Sequence, residues 1–247
     1  MGGRKQRPVL IVLTAVFILI ISVGLASATI VGSKHDMSFL NSGANFSSTN
    51  EDEVCIFCHT PHGGISQDSS GNRVPLWNRS ISQNETGFTP YSSPTLNATL
   101  GQPTGITLLC LSCHDGVSTL NTLINYGRFN PIVMDGGFDQ IGDVWIGPGN
   151  PPGYPGANVG EGAAKNLAND HPVSFVFDAA LISADAGGGP AKLQLPISSD
   201  PIKLFNNRLE CATCHDPHEE GALAAGTFPF LRKSNQASGM CLTCHIK

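Results

Sequence analysis

The chain has 247 residues, enough for one ordinary domain or two small ones. Its formal net charge of −5 argues against a nucleic-acid partner, because polyanions attract basic surfaces. Charged residues make up only 13% of the chain and aromatic residues 7%, whereas glycine and proline occupy 28 and 17 positions, so a conventional core of packed helices or sheets has little support.

The N-terminus has the pattern of an export signal. Three basic residues precede an apolar run over residues 9–25, and Ala-Ser-Ala at 26–28 gives a small-residue cleavage site. We therefore expect residues 1–28 to be a cleaved signal peptide and residues 29–247 to be exported, to the extracellular space or cell surface, or otherwise to the periplasm. The alternative is an uncleaved membrane anchor, since the apolar run of 17 residues is at the short limit for a membrane span.

A C-x-x-C-H motif recurs four times and includes every cysteine of the chain. Two thiols at this spacing add to the two vinyl groups of one porphyrin, and the histidine that follows lies under the iron as its proximal ligand. CxxC pairs alone also suit structural zinc or redox dithiols, but a histidine after every pair favours haem. The sequence therefore predicts four haem c groups, attached through Cys55, Cys58, Cys110, Cys113, Cys211, Cys214, Cys241 and Cys244, with the proximal ligands His59, His114, His215 and His245.

Four histidines remain outside these motifs, which equals the number of distal ligands that four irons require. Methionine is the alternative distal ligand, but only Met37, Met134 and Met240 follow residue 28, and Met240 directly precedes Cys241. Bis-histidine iron has no open position, which favours an electron carrier over an enzyme. A haem reductase with one open haem is the less favoured alternative. The expected distal ligands are His35, His62, His171 and His218.

The motifs also form an internal repeat, because the order H-x-x-S-F, C-x-x-C-H-x-P-H, C-x-x-C-H occurs twice. It divides the expected cytochrome domain into two di-haem halves, at about 29–165 and 166–247. His59 and His62 are three residues apart, a reach of about 10 Å at most, which is too short to bind one iron from both faces. We therefore expect His62, and likewise His218, to bind a neighbouring haem.

Two arrangements are open for His35 and His171. If each binds a haem of its own half, the molecule closes on itself. If His171 instead binds a haem of the first half, His35, which occupies the equivalent position of the repeat, would bind a haem of a neighbouring subunit. A head-to-tail contact that does not close produces a filament.

The chain resembles the doubled-CxxCH tetrahaem c-type cytochromes, which include the subunits of extracellular cytochrome nanowires. The resemblance covers most of residues 35–247 and rests on HDMSF (35–39), CIFCHTPHG (55–63), PLWN (75–78), CLSCHDG (110–116), DHPVSF (170–175), CATCHDPH (211–218), FLR (230–232) and CLTCH (241–245). It implies bis-histidine haems stacked in a continuous chain and polymerisation through a ligand donated between subunits, which by motif is His35. The implied partners are further copies of the chain, head to tail, and redox cytochromes or extracellular acceptors. Soluble periplasmic electron shuttles share these motifs and are the alternative.

The expected fold is mostly irregular coil with short helices around the CxxCH motifs and little β structure, organised around a chain of four stacked haems. The porphyrins themselves then supply the core. Glycine and proline dominate residues 147–156, which predicts an extended surface loop, and residues 173–177 are the best strand candidate. Asn45, Asn78, Asn84 and Asn97 begin N-x-S/T sequons, for which chance is favoured over glycosylation.

Overall fold

The computed structural model describes most of the chain after the N-terminal segment. The described residues are 30–41, 46–82, 85–115, 118, 120, 122–135, 165–219 and 230–247. The expected signal peptide and the glycine- and proline-rich segment 147–156 lie outside these ranges.

Within the described residues the chain is mostly coil. Its α-helices are α1 (Thr107–His114), α2 (Ala179–Ala186) and α3 (Cys211–Cys214), and 3-10 turns cover Val54–Phe57, Gln236–Ser238 and Cys241–Thr243. Its strands are β1 (Ser47–Ser48), β2 (Ile65–Gln67), β3 (Arg73–Trp77), β4 (Met134–Asp135), β5 (Phe175–Val176) and β6 (Arg208–Leu209).

Each CxxCH motif folds as one helical turn. In three of them the histidine N–H donates to the carbonyl of the first cysteine, at 2.8 Å for His59, 3.1 Å for His215 and 2.9 Å for His245. The second motif lies within α1, which ends at His114. Residues four apart in a helical turn share a face, so each motif presents its first thiol and its imidazole on the same side.

The strands pair as three small antiparallel sheets, β1 with β4, β2 with β3, and β5 with β6. In the last of these, Phe175 is opposite Leu209. This strand is shorter than the expected 173–177, because Ser174 has φ +59°, a left-handed backbone conformation that interrupts an extended strand.

Buried apolar side chains form several small clusters among the described residues rather than one core. The largest contains Met37, Ile56, Phe57, Leu120, Leu123, Ile132 and Met134, and Cys58 and Cys113 pack against it. Another contains Phe175, Phe177 and Leu209 of the second half and contacts Leu100 of the first half and Cys244. The edges of these clusters therefore include three of the motif cysteines, Cys58, Cys113 and Cys244, and the two halves share buried surface.

Helix α2 has no fully buried side chain, and its Leu181 packs, partly buried, against the cluster that contains Phe175. The Asp178 carboxylate caps its start by accepting a hydrogen bond of 3.0 Å from the Leu181 N–H, and Gly187 ends it at φ +58°. No helix in the described part of the chain is long and apolar enough to cross a membrane.

Candidate metal centres

The four CxxCH motifs lie beside one another in chain order. Three cysteine pairs from successive motifs are close enough to interact: Cys58 with Cys113, Cys110 with Cys211, and Cys214 with Cys244. The Cys110 thiol also donates to the Ile106 carbonyl at 3.8 Å. The second pair joins the two halves of the molecule, so the motifs form a continuous series from the first to the fourth.

Three motif histidines each face one of the four histidines outside the motifs. The ring centroids are 6.1 Å apart for His114 and His35, 6.0 Å for His59 and His218, and 6.4 Å for His245 and His171. A metal ion bonded at about 2 Å to one nitrogen of each of two opposed imidazoles puts their centroids about 6 Å apart. The three centroid separations therefore match those expected for two histidines that bind one iron.

The His35 imidazole is enclosed by its own chain. It stacks on Phe230 at 4.3 Å between centroids, and its Nδ1 is buried without a hydrogen-bond partner. Burial, followed by the fields of His114, His215 and His218, lowers the pKa of His35 to about 4. The imidazole is thus neutral near pH 7, the form that binds a metal. Its position beside His114 favours the closed arrangement over donation to a neighbouring subunit.

The rest of the first H-x-x-S-F motif fixes this position. The buried Asp36 carboxylate accepts hydrogen bonds from the Gly32 N–H at 2.7 Å and from the Ser38 hydroxyl at 2.6 Å. The Asn41 amide donates to the carbonyls of Ser33 and Asp36, both at 3.0 Å. These bonds close a tight turn around His35 in a segment that has no helix or strand to hold it.

His59 belongs to the first half and faces His218 of the second. Its Nδ1 is 2.8 Å from the carbonyl oxygen of Pro75, which can only accept, so Nδ1 carries the proton and Nε2 is the nitrogen left for a metal. The planes of the two facing rings are 17° apart. This pair links the halves, and it places the final histidine of one H-x-P-H element beside the motif histidine of the other.

His171 and His245 form the pair at the C-terminal end. The His171 Nδ1 is 2.9 Å from the Pro172 carbonyl oxygen, which again leaves Nε2 for a metal. Burial lowers the pKa of His171, against a raising effect of that backbone contact. The segment around His245 is held by backbone bonds of 2.8 Å from Gln194 to Cys244 and from Ile246 to Lys192.

His62 and His215 are the two remaining histidines, and no imidazole in the described part of the chain faces either ring at a comparable distance. The His62 carbonyl accepts hydrogen bonds from the Asn125 amide at 2.7 Å and the Thr60 hydroxyl at 3.0 Å. Burial is the largest of the effects that lower the pKa of His215. Of these two, His215 is a motif histidine from the second half and His62 is a histidine from outside the motifs in the first half.

The motif thiols differ in their pKa values. Burial raises the pKa of Cys58 to about 12, and those of Cys214 and Cys244 to about 11, whereas the contact with Cys110 is the largest of the effects that lower the pKa of Cys211. Burial of the first three opposes the thiolate form on which a redox dithiol relies. Among the described residues, which include every cysteine and histidine, no three His, Cys, Asp or Glu side chains cluster to hold a bare metal ion.

The PLWN segment ties the first two motifs together. Trp77 lies edge-on to His59 and donates from its indole nitrogen to the Ser112 hydroxyl at 2.9 Å. The Asn78 amide donates to the Ile56 carbonyl at 2.7 Å and to the Asn125 carbonyl at 2.8 Å. Asn78 is fully buried, so the sequon that it begins is inaccessible to glycosylation in the folded chain.

The FLR segment (230–232) contacts both His35 and the third motif. Phe230 stacks on His35, and the Arg232 side chain donates to the Ala212 carbonyl at 2.8 Å and pairs with Asp216 at 2.7 Å. Glu210, directly before the third motif, is a further buried carboxyl group that no sequence pattern indicates. A glutamate close to a CxxCH motif does not by itself predict a buried carboxyl group, since Glu53 near the first motif is exposed.

Comparison with protein-family models finds no match for the chain, and comparison with curated proteins finds none either. Function is therefore inferred from the side chains and their geometry.

Proposed function

We propose that the chain is an exported c-type cytochrome that carries four bis-histidine haems and transfers electrons, and that it is not an enzyme. The observation that carries the proposal is the set of three imidazole pairs at 6.0 to 6.4 Å. Each pair combines one CxxCH histidine with one histidine from outside the motifs. Such selective pairing is what iron with one proximal and one distal ligand requires.

His62 and His215 complete the ligand set by elimination. We assign them to the fourth iron, because one is a motif histidine and the other is not. His62 of the first half then serves a haem of the second, while His218 of the second half serves a haem of the first. This exchange of H-x-P-H ligands would bind the halves to each other.

A haem iron held by two imidazoles supplies one-electron exchange between its ferric and ferrous states. The protein's part is to keep His35 and His171 neutral by burial, to leave the Nε2 atoms of His59 and His171 for a metal, and to keep successive motifs adjacent. The contacts from Cys58 to Cys113, Cys110 to Cys211 and Cys214 to Cys244 support a single electron path along the molecule. Histidines bound on both sides of each iron would leave no position for a substrate, which weighs against the reductase alternative.

The His35–His114 pair bears on assembly. A chain that supplies His35 to its own second motif completes its axial ligands without a partner, which favours a self-contained carrier over a filament joined by a donated His35. A head-to-tail filament is then held by surface contacts alone. Negative-stain microscopy of the exported protein distinguishes monodisperse particles from filaments.

The function is tested on protein exported from a host that matures c-type haem. Mass spectrometry and the pyridine haemochrome assay should give four haems per chain, and spectroscopy should show only low-spin ferric iron. A high-spin haem that responds to nitrite, sulfite or hydroxylamine would support the reductase alternative instead. Fewer than four haems per chain would overturn the proposal, and colourless protein would point to a zinc-binding structural role.

A further inference from the structure

Glu210 is a buried carboxylate at the junction of the two halves. Only 2% of its surface is exposed. It accepts hydrogen bonds from the Thr107 hydroxyl at 2.5 Å and from the Ser174 hydroxyl at 2.9 Å. Gly105 leaves space for it, since a Cβ on that residue would come within 3.1 Å of the carboxylate, and φ +61° there further disfavours a side chain.

The same contacts connect two haem motifs. Thr107 begins α1, one turn before Cys110, and its hydroxyl accepts a hydrogen bond of 3.1 Å from the Cys211 N–H. The Cys110 and Cys211 side chains are close enough to influence each other's pKa. The Glu210 carboxylate therefore lies at the point where the second and third motifs meet.

The charge of Glu210 is only partly balanced. Arg208 approaches it at 3.5 Å, but the Arg208 side chain is 29% exposed whereas that of Glu210 is 2% exposed. The cation is thus more strongly screened by water than the carboxylate. The other ionisable groups around the junction are Cys110 and Cys211 and, beside Cys211, Asp170. Burial raises the pKa of Glu210 above its usual value, and the opposing effects of the hydrogen bonds from Thr107 and Ser174 and of the charge of Arg208 are smaller.

We propose that Glu210 is a positioning residue that clamps the second and third haem motifs together and, through its buried negative charge, lowers the reduction potentials of the two haems attached there. An oxidised haem carries one more positive charge than a reduced one, so a nearby anion stabilises the oxidised state. This role rests on the proposed function. It makes the crossing between the two halves a low-potential segment of the electron path.

Glu210→Gln tests the charge while keeping the size and an acceptor oxygen. Haem content and spin state are measured first, since four low-spin haems establish the proposed function independently. Potentiometric titration should then show two of the four potentials shifted to more positive values and two unchanged. Glu53→Gln, at an exposed carboxylate two residues before Cys55, is the matched control and should leave all four potentials in place. Four unchanged potentials in Glu210→Gln, or a uniform shift of all four, would overturn the inference.

Ser174→Ala covers the case in which Glu210→Gln does not mature. It removes one hydroxyl that donates to the carboxylate and leaves Glu210 and both cysteines intact. A change in potential confined to two haems supports the inference. Wild-type potentials in Ser174→Ala, together with failed maturation of Glu210→Gln, would reduce Glu210 to a folding role and reject its effect on potential.

Discussion

The His59 ring of the first half lies 6.0 Å from the His218 ring of the second, with 17° between their planes. The two residues are far apart in the chain, and each belongs to a C-x-x-C-H-x-P-H element, one through its motif histidine and the other through its final histidine. The relationship shows the H-x-P-H element projecting away from its own CxxCH turn. It makes the two halves interdependent, since neither half contains both members of this pair.

Removing His218 should leave one iron without a distal ligand. In His218→Ala we expect one high-spin haem of the four, because the iron bound by His59 would keep that ligand and lose the one on its opposite face. Electron paramagnetic resonance and the visible spectrum measure the change, and added imidazole should restore the low-spin signal. A variant with four low-spin haems would show that His59 and His218 do not share an iron.

His35→Ala separates the two arrangements of the N-terminal histidine. If His35 binds within its own chain, isolated wild-type subunits are fully low-spin and the variant has one high-spin haem. The buried stacking of His35 on Phe230 leads us to expect this outcome. Wild-type subunits that are part high-spin when isolated and become low-spin on polymerisation would instead establish donation to a neighbour.

Residue spacing predicts which side chains can serve as ligands but not how they pair. The three-residue interval between His59 and His62 excludes a shared iron, yet it does not indicate that His218 is the residue facing His59. That choice depends on long-range packing, such as the contacts of Phe175 with the first half. Glu210 was missed for the same reason, because its partners Thr107 and Ser174 are 103 and 36 residues away.

The low content of regular structure is more accessible to prediction. Glycine and proline are frequent throughout the chain, and no long periodic apolar segment follows residue 25. The two-residue length of β5 was not foreseeable, because residues 173–177 read as a continuous strand. Ser174 leaves the extended conformation and turns its hydroxyl toward Glu210, a contact that sequence alone does not reveal.

The ion pair of Asp200 and Lys233 should give the fourth motif a pH-dependent restraint. Lys233 donates to Asp200 at 2.6 Å and to the Thr243 hydroxyl, within that motif, at 2.9 Å. Burial raises the pKa of Asp200, but the hydrogen bonds from Lys233 and the Ile202 N–H and the charge of Lys233 outweigh it and hold the pKa below the usual 3.8. The stabilisation is therefore present above that value and lost as the pH falls through the lower folded-state pKa.

Asp200→Asn should lower the free energy of unfolding by about 1 kcal/mol near neutral pH, a modest value because the Lys233 side chain is partly exposed. Denaturant unfolding of both proteins, as the pH is lowered from about 6 to about 2, should show the difference shrinking. Asp185→Asn, which removes the charge of a carboxylate that makes an exposed contact with Asn97, is the control and should change stability less. A difference that stays constant down to the acid limit would exclude the ion pair as its source.

Phe57 lies between the two cysteines of the first motif and is completely buried in the largest apolar cluster. Phe57→Ala removes a ring from a packed site and leaves a cavity, so we expect a loss of about 3–5 kcal/mol in the free energy of unfolding. The matched variant Phe39→Ala truncates a ring that is 43% exposed and should cost less than about 1 kcal/mol. Equal losses in the two variants, measured by denaturant unfolding at unchanged haem content, would mean that the first motif does not depend on this cluster for its position.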